Sequence, residues 1–180
     1  EVAEKSDETV VSAIIALLEH EDWPIRQAAL EALAQASKEG DSRAITAVIA
    51  KIEDERWPVR RAAVRSLMLM ARPGNKRVIA AVIGRLEDNI AQVRQLAAEA
   101  SGKVAEKGDE RVINSVCACL EDAKWPVRLA AIDALASIGD RGLKCTIIAV
   151  TERLENSKLP VRQAAMQALS EIAEKGDKCA

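Results

Sequence analysis

Apolar side chains along this chain fall into two kinds of helical stripe. In Val78-Ile79-Ala80-Ala81-Val82-Ile83-Gly84-Arg85-Leu86 they occupy i, i+1, i+4, i+5 and i+8, the spacing of one helix face rather than the alternation of a strand. Counterparts recur in register: Val11, Ile45, Ile79, Ile113 and Ile147; then Ile14, Val48, Val82, Val116 and Val150; then Leu18, Ile52, Leu86, Leu120 and Leu154. The second stripe opens at Trp-Pro and continues Val/Ile-Arg-x-Ala-Ala-x-x-Ala-Leu, as in Ile25 to Leu33 and Val127 to Leu135. Proline is tolerated there because its missing N–H would have no intrahelical partner in the first turn. The paired alanines let neighbouring helices approach closely.

Both stripes repeat every 34 residues with no insertion or deletion. Asp22-Trp23-Pro24-Ile25-Arg26 is followed by Arg56-Trp57-Pro58-Val59-Arg60 and Ile90-Ala91-Gln92-Val93-Arg94, then by Lys124-Trp125-Pro126-Val127-Arg128 and Lys158-Leu159-Pro160-Val161-Arg162. A fixed period of this size marks a solenoid, in which each unit hides its apolar face against its neighbours. The chain therefore reads as one all-α solenoid over residues 1–180, with repeats at about 7–40, 41–74, 75–108, 109–142 and 143–176. Residues 1–6 and 177–180 are partial units. Gly40-Asp41, Gly74-Asn75, Gly108-Asp109 and Gly176-Asp177 each put a glycine where a helix ends in the left-handed conformation, and then a residue that can cap the next helix. Repeat four ends differently, in Gly139-Asp140-Arg141-Gly142-Leu143, which predicts a shorter final turn. The pattern predicts ten full helices and two stubs, each roughly 12–16 residues or about 18–24 Å long. Glu1-Val2-Ala3-Glu4-Lys5-Ser6-Asp7 matches Glu171-Ile172-Ala173-Glu174-Lys175-Gly176-Asp177. Neither end carries the polar cap that closes a solenoid, so the chain reads as a piece of a longer array.

A third pattern straddles the turn inside each unit. Asp54 and Arg60, Asp88 and Arg94, and Asp122 and Arg128 stand six apart. An acidic group near a helix C-terminus opposes the helix dipole, so its recurrence needs another cause. The expected cause is a ladder: the carboxylate accepts N–H bonds from the next helix start and meets an arginine of its own or the next unit. His20 and Asn156 take the Asp positions at the ends, which predicts weaker rungs. Asp…Val-Arg-x-Ala-Ala with two helices per unit resembles the HEAT repeat, especially its short phycobilin-lyase-like variety, over essentially the whole chain. The resemblance implies a right-handed superhelical α-solenoid, armadillo-like, whose second helices line a concave face that carries binding.

On that face the expected partner-binding residues are Trp23, Gln27 and Glu31; Trp57, Arg61 and Arg65; Gln95 and Glu99; Trp125, Leu129 and Asp133; and Gln163. Gln167 continues the same row. These positions vary between units while the packing positions stay constant, which suits a surface shaped for a partner as well as free drift. The three tryptophans serve equally as structural packing, with a cation–π contact to the neighbouring unit's arginine. Repeat three is irregular: Ala91-Gln92 replaces Trp-Pro, and Ser101-Gly102 replaces the expected Leu-Ala or Leu-Met. The lost leucine and the gained mid-helix glycine predict a softer joint over residues 91–107.

Composition narrows the chemistry. The chain is 49% apolar with three Trp and no Phe or Tyr, which suits closely packed helices. A net charge of −2 gives no general pull towards nucleic acid or an anionic membrane, and neither is an expected partner. The run of Arg56, Arg60, Arg61, Arg65 and Arg72 is interleaved with Glu31, Glu99 and Asp133 on the same predicted face, so a solvated mixed surface is the simpler reading. One histidine, His20, excludes a His-Glu di-iron centre and any Ser/His/Asp or Cys/His constellation beyond itself. Cys117, Cys119, Cys145 and Cys179 follow no zinc spacing and read as free thiols in a reducing, cytoplasmic setting. No cofactor is implied. The function expected is a non-enzymatic scaffold for a protein or peptide, monomeric, with ends able to stack in a crystal. The alternatives are a HEAT-like lyase component handling a tetrapyrrole, and a structural spacer or engineered repeat protein without a natural partner.

Overall fold

The computed structural model describes the backbone of residues 2–177 and the side chains of residues 8–138 and 146–173. Among the described residues nine α-helices run in order: α1 (Val2–Leu17), α2 (Trp23–Ala36), α3 (Ser42–Ile49), α4 (Trp57–Met70), α5 (Lys76–Ile83), α6 (Ala91–Val104), α7 (Glu110–Ala118), α8 (Trp125–Thr151) and α9 (Leu159–Asp177). The architecture is all-α, a succession of helical hairpins as a five-repeat solenoid requires. The hairpins fall into two compact units that meet between Arg72 and Pro73.

Each complete second helix from α2 to α6 is 14 residues long, whereas α3 and α5 have eight and α7 nine, shorter than the 12–16 expected for every helix. The first helices do not stop abruptly. They tighten into 3₁₀-type turns, with Lys51 N–H donating to Val48 O and Ile52 N–H to Ile49 O, and Cys119–Glu121 forming a 3₁₀ turn outright. Tightening of this kind satisfies terminal carbonyls within the last turn.

Between repeats the caps are built as the residues suggest. Gly40, Gly74 and Gly108 have φ of 79°, 82° and 78°, a region closed to most side chains. Each glycine N–H reaches the same register of the next repeat's second helix: Gly40 to Met70 O at 2.8 Å, Gly74 to Val104 O at 2.9 Å, Gly108 to Ile138 O at 2.9 Å. The side chains of Asp41, Asn75 and Asp109 then each accept two backbone N–H groups of α3, α5 and α7.

That rule explains two departures from the expected ten helices. At the fourth boundary Gly142 keeps the glycine register, but Leu143 stands where Asp41, Asn75 and Asp109 stand elsewhere. Leucine has no acceptor for the orphan N–H groups of a new helix, and the backbone satisfies them by continuing, so α8 runs 27 residues through the boundary. The shorter turn expected there is replaced by no turn at all. At the start, Ser6 rather than glycine precedes Asp7, and α1 likewise runs through, so the first stub and the first helix are one. Gly176 also lies inside a helix, α9, rather than ending one. The side chains of Glu1–Asp7, Cys145 and Cys179 lie outside the described residues.

In the first unit, Leu30, Leu33, Val48, Val59 and Leu67 make the dry centre between hairpins. In the second, Val82, Val93, Ile113, Leu120, Ile132 and Leu135 do the same. Ser66 Oγ donates to Leu30 O at 2.9 Å, a buried bond joining α2 to α4. The irregular third repeat is accommodated rather than broken. α6 is continuous, Ser101 turns its hydroxyl back to Ala97 O, and Gly102 lies against α8 so closely that a Cβ there would stand 3.0 Å from Ala134 Cα.

Candidate interaction surface

One register of the second helices is given over to structure, and it defines which neighbouring positions remain free. The position held by His20, Asp54, Asp88, Asp122 and Asn156 accepts the backbone N–H two residues on. Asp54 Oδ1 takes Arg56 N–H at 2.9 Å, Asp88 takes Ile90, Asp122 takes Lys124 and Asn156 takes Lys158. His20 does the same through Nδ1, which accepts from Asp22 N–H at 3.0 Å, so the lone imidazole stands in for the carboxylate of the other rungs.

The arginine register completes the ladder with a division of labour. Within its own repeat it donates to the carbonyl of the capping residue: Arg26 to His20 O, Arg60 to Asp54 O, Arg94 to Asp88 O, Arg128 to Asp122 O and Arg162 to Asn156 O, at 2.7–2.9 Å. In Arg26 and Arg94 the other donors reach the carboxylate of the following repeat. Arg26 is bidentate on Asp54, with Nε to Oδ2 at 2.8 Å and Nη2 to Oδ1 at 3.0 Å. Arg94 grips Asp122 the same way, at 2.6 and 3.1 Å. A planar guanidinium suits this fork-to-fork contact, which a lysine could not reproduce. Burial pushes the Asp54 and Asp122 carboxyls up, but the arginine bonds and the backbone N–H together outweigh it and hold both below the usual carboxylate value. Those same side-chain bonds to Asp54 and Asp122 raise Arg26 and Arg94. At the fourth rung Asn156 replaces the carboxylate, and the buried Nε of Arg128 has no hydrogen-bond partner. The Arg128 guanidinium lies instead 5.2 Å from the ring of Trp125, in its own repeat and not the neighbour's as expected. They are three residues apart on one helix, close enough for the stacking to be intramolecular within the first turn.

With the arginines turned inwards, positions one residue later point out. In the first unit Trp23, Gln27 and Glu31 follow one stripe of α2, and Trp57, Arg61 and Arg65 follow the matching stripe of α4, which packs directly against α2. Trp23 is 37% exposed and Trp57 40%. Gln27 is half-buried and donates to Glu31 at 3.0 Å. In the second unit Gln95 donates to Glu99 at 3.0 Å on α6, while α8 carries Trp125, Leu129 and Asp133, all exposed, and α9 carries the exposed Gln163. Gln167 donates to Glu171 at 3.1 Å. The row also includes Leu69, 59% exposed one turn beyond Arg65, which sequence reasoning overlooked. The signal was available: positions 35, 103, 137 and 171 in the same register are all polar.

Elsewhere the described chemistry is inert. Cys117 and Cys119 are buried, free, and pushed up by burial to about 11 and about 12, so both stay protonated. A hollow of about 380 Å³ bounded by Glu110, Asn114, Cys117, Ile148, Glu152 and Arg153 lies among first helices, off the second-helix row. Among the described residues no three His, Cys, Asp or Glu side chains gather as metal ligands, and no helix is long and apolar enough to cross a membrane.

A profile of HEAT repeats matches residues 1–67, 45–136 and 91–170. The chain belongs to the HEAT-repeat family. Among solved structures, the complex of CpcE and CpcF of phycocyanin lyase from Nostoc sp. PCC7120 is similar at 25% identity and a TM-score of 0.67, over 91% of this chain and 65% of that one. An engineered protein matches at 19% identity and a TM-score of 0.63, over 95% of this chain and 82% of its own. A designed armadillo repeat protein in complex with the peptide (KR)4 matches at 14% identity and a TM-score of 0.62, over 95% and 85%. The last two likenesses concern the fold alone. No curated protein sequence matches the chain. The molecule is thus a HEAT, armadillo-like repeat scaffold.

Proposed function

We propose that this scaffold is non-enzymatic and holds a protein or peptide segment along the exposed row of its second helices. One observation carries the reading. At a register where packing asks for nothing, successive helices present different side chains, and several of them (Trp57, Arg61 and Arg65 in the first unit; Trp125, Leu129 and Asp133 in the second) are exposed. Tryptophan and arginine are the residue types that most often anchor interfaces. The relatives point the same way: one was solved as a complex of two proteins and another with a peptide bound.

A photo-crosslinking side chain placed at position 61 or 129, compared with one at the exposed Ala80 of α5, tests this in lysate. Specific adducts from the second-helix positions and none from position 80 are expected. Equal adducts from all three would remove the reading. A second reading, a component of a bilin-handling lyase, draws on the likeness to the CpcE–CpcF pair. It predicts a new visible absorbance band when the purified chain is mixed with a bilin; an unchanged spectrum sets it aside.

A further inference from the structure

The arginines of the first unit differ in whether the fold uses them. Arg26 is locked to Asp54, Arg56 meets Glu55 at 3.2 Å, and Arg60 donates to two backbone carbonyls. Arg61 and Arg65 are both exposed, and among the described residues neither has an ion pair or a side-chain hydrogen bond. They stand four residues apart on α4, where like charges destabilise a helix. The same pair of positions elsewhere never carries two like charges: Gln27 with Glu31, Gln95 with Glu99, Leu129 with Asp133, Gln163 with Gln167. On α2, which packs against α4, Glu31 accepts from Gln27 and forms no ion pair with Arg61 or Arg65 among the described residues. The fold therefore carries two uncompensated guanidinium groups at a site where it gains nothing from them, framed by two exposed apolar side chains, Trp57 and Leu69, one turn to either side.

We infer that the α2–α4 face of the first unit binds an acidic, extended segment of a protein. This rests on the scaffold reading above and names its ligand chemistry. Residues four apart on a helix rise about 6 Å, and alternate side chains on one side of an extended strand are about 6.6 Å apart. Two carboxylates at alternate positions of an extended segment thus match Arg61 and Arg65, each able to form a two-point contact. An apolar residue beside them covers Trp57 or Leu69. Two cations make a poor footprint for a nucleic acid, whose affinity grows with the number of phosphates neutralised.

The test uses the full chain and a fluorescein-labelled nonapeptide alternating Glu with Ser around a central Leu, read by anisotropy at low salt. The same peptide with Lys for Glu is the control. The Glu peptide is expected to bind at least tenfold more tightly than the Lys peptide, and Arg61→Glu with Arg65→Glu to reverse that order. A reversal cannot come from misfolding, which would weaken both. Equal binding of the two peptides by the parent, or unchanged affinity in the doubly substituted protein, overturns the inference. So does stronger competition by oligothymidylate than by the unlabelled Glu peptide. If the Lys peptide alone binds and Asp133→Asn abolishes it, the acidic-ligand inference fails while the scaffold reading stands. If neither peptide binds and the crosslinking above also fails, both fall.

Discussion

Arg94 and Arg128 occupy one register in successive repeats of the second unit, and they end in different electrostatic company. Arg94 spends Nη1 on its own repeat's Asp88 carbonyl and its remaining fork on the Asp122 carboxylate. Arg128 makes the first contact, with Asp122 O, and then finds Asn156 where a carboxylate would be. Its Nε is left buried and unpaired, and its plane rests on Trp125. The backbone at both rungs is the same: Asp122 and Asn156 each accept the N–H two residues on. Turn geometry and repeat-to-repeat attachment are therefore separable duties of a single side chain. An amide can perform the first, and only an anion can perform both.

Several measurements would break or sharpen that contrast. The largest effect belongs to Asp122→Ala, which strips a partner from Arg94 and an acceptor from Lys124 N–H together. A loss of about 2–4 kcal/mol is expected in urea unfolding of the intact chain, and a change under 1 kcal/mol would show the rung to be ornamental. Next comes Gly102→Ala. Alanine in place of a mid-helix glycine ordinarily gains about 0.5–1 kcal/mol, yet here the new Cβ would meet Ser137 Oγ at 2.8 Å and Ala134 Cα at 3.0 Å. Overpacking against backbone costs about 1–3 kcal/mol, so the net should be a loss, and a gain would show that α6 and α8 can separate freely. Asn156→Asp should add about 1 kcal/mol by pairing the orphan Nε of Arg128. The smallest effect is in pH. Asp54 and Asp122 are held below their ordinary value, so the stability they contribute is full above about pH 4 and is lost as pH falls through their lowered values. Asn156→Asp should steepen the loss in that acid window and leave neutral pH unaffected, and an equal slope in both proteins would show that residue 156 never reaches Arg128.

Much of this was legible in the residues because the period is so regular. Glycine followed by Asp or Asn announced the interrupted boundaries at 40, 74 and 108, and a ladder joining Asp to Arg followed from their constant spacing. At residue 142 a shortened turn was expected, yet a glycine without a capping side chain after it does not end a helix there. Leu69 lies one turn beyond the row that the variable positions defined, and a leucine at the end of a helix reads as core. Which arginine each carboxylate would hold stayed open, since own-repeat and next-repeat partners are equally close in sequence terms.

The order of letters alone determined that the chain is helical, that it repeats, and which helix stripes supply the core, because periodicity and capping are local rules that each helix obeys by itself. Only the folded arrangement decided that one guanidinium joins two repeats, that Gly102 is a point of close approach, and that Arg61 and Arg65 are left without partners. Those outcomes depend on the distance between helices, and no single helix contains that distance.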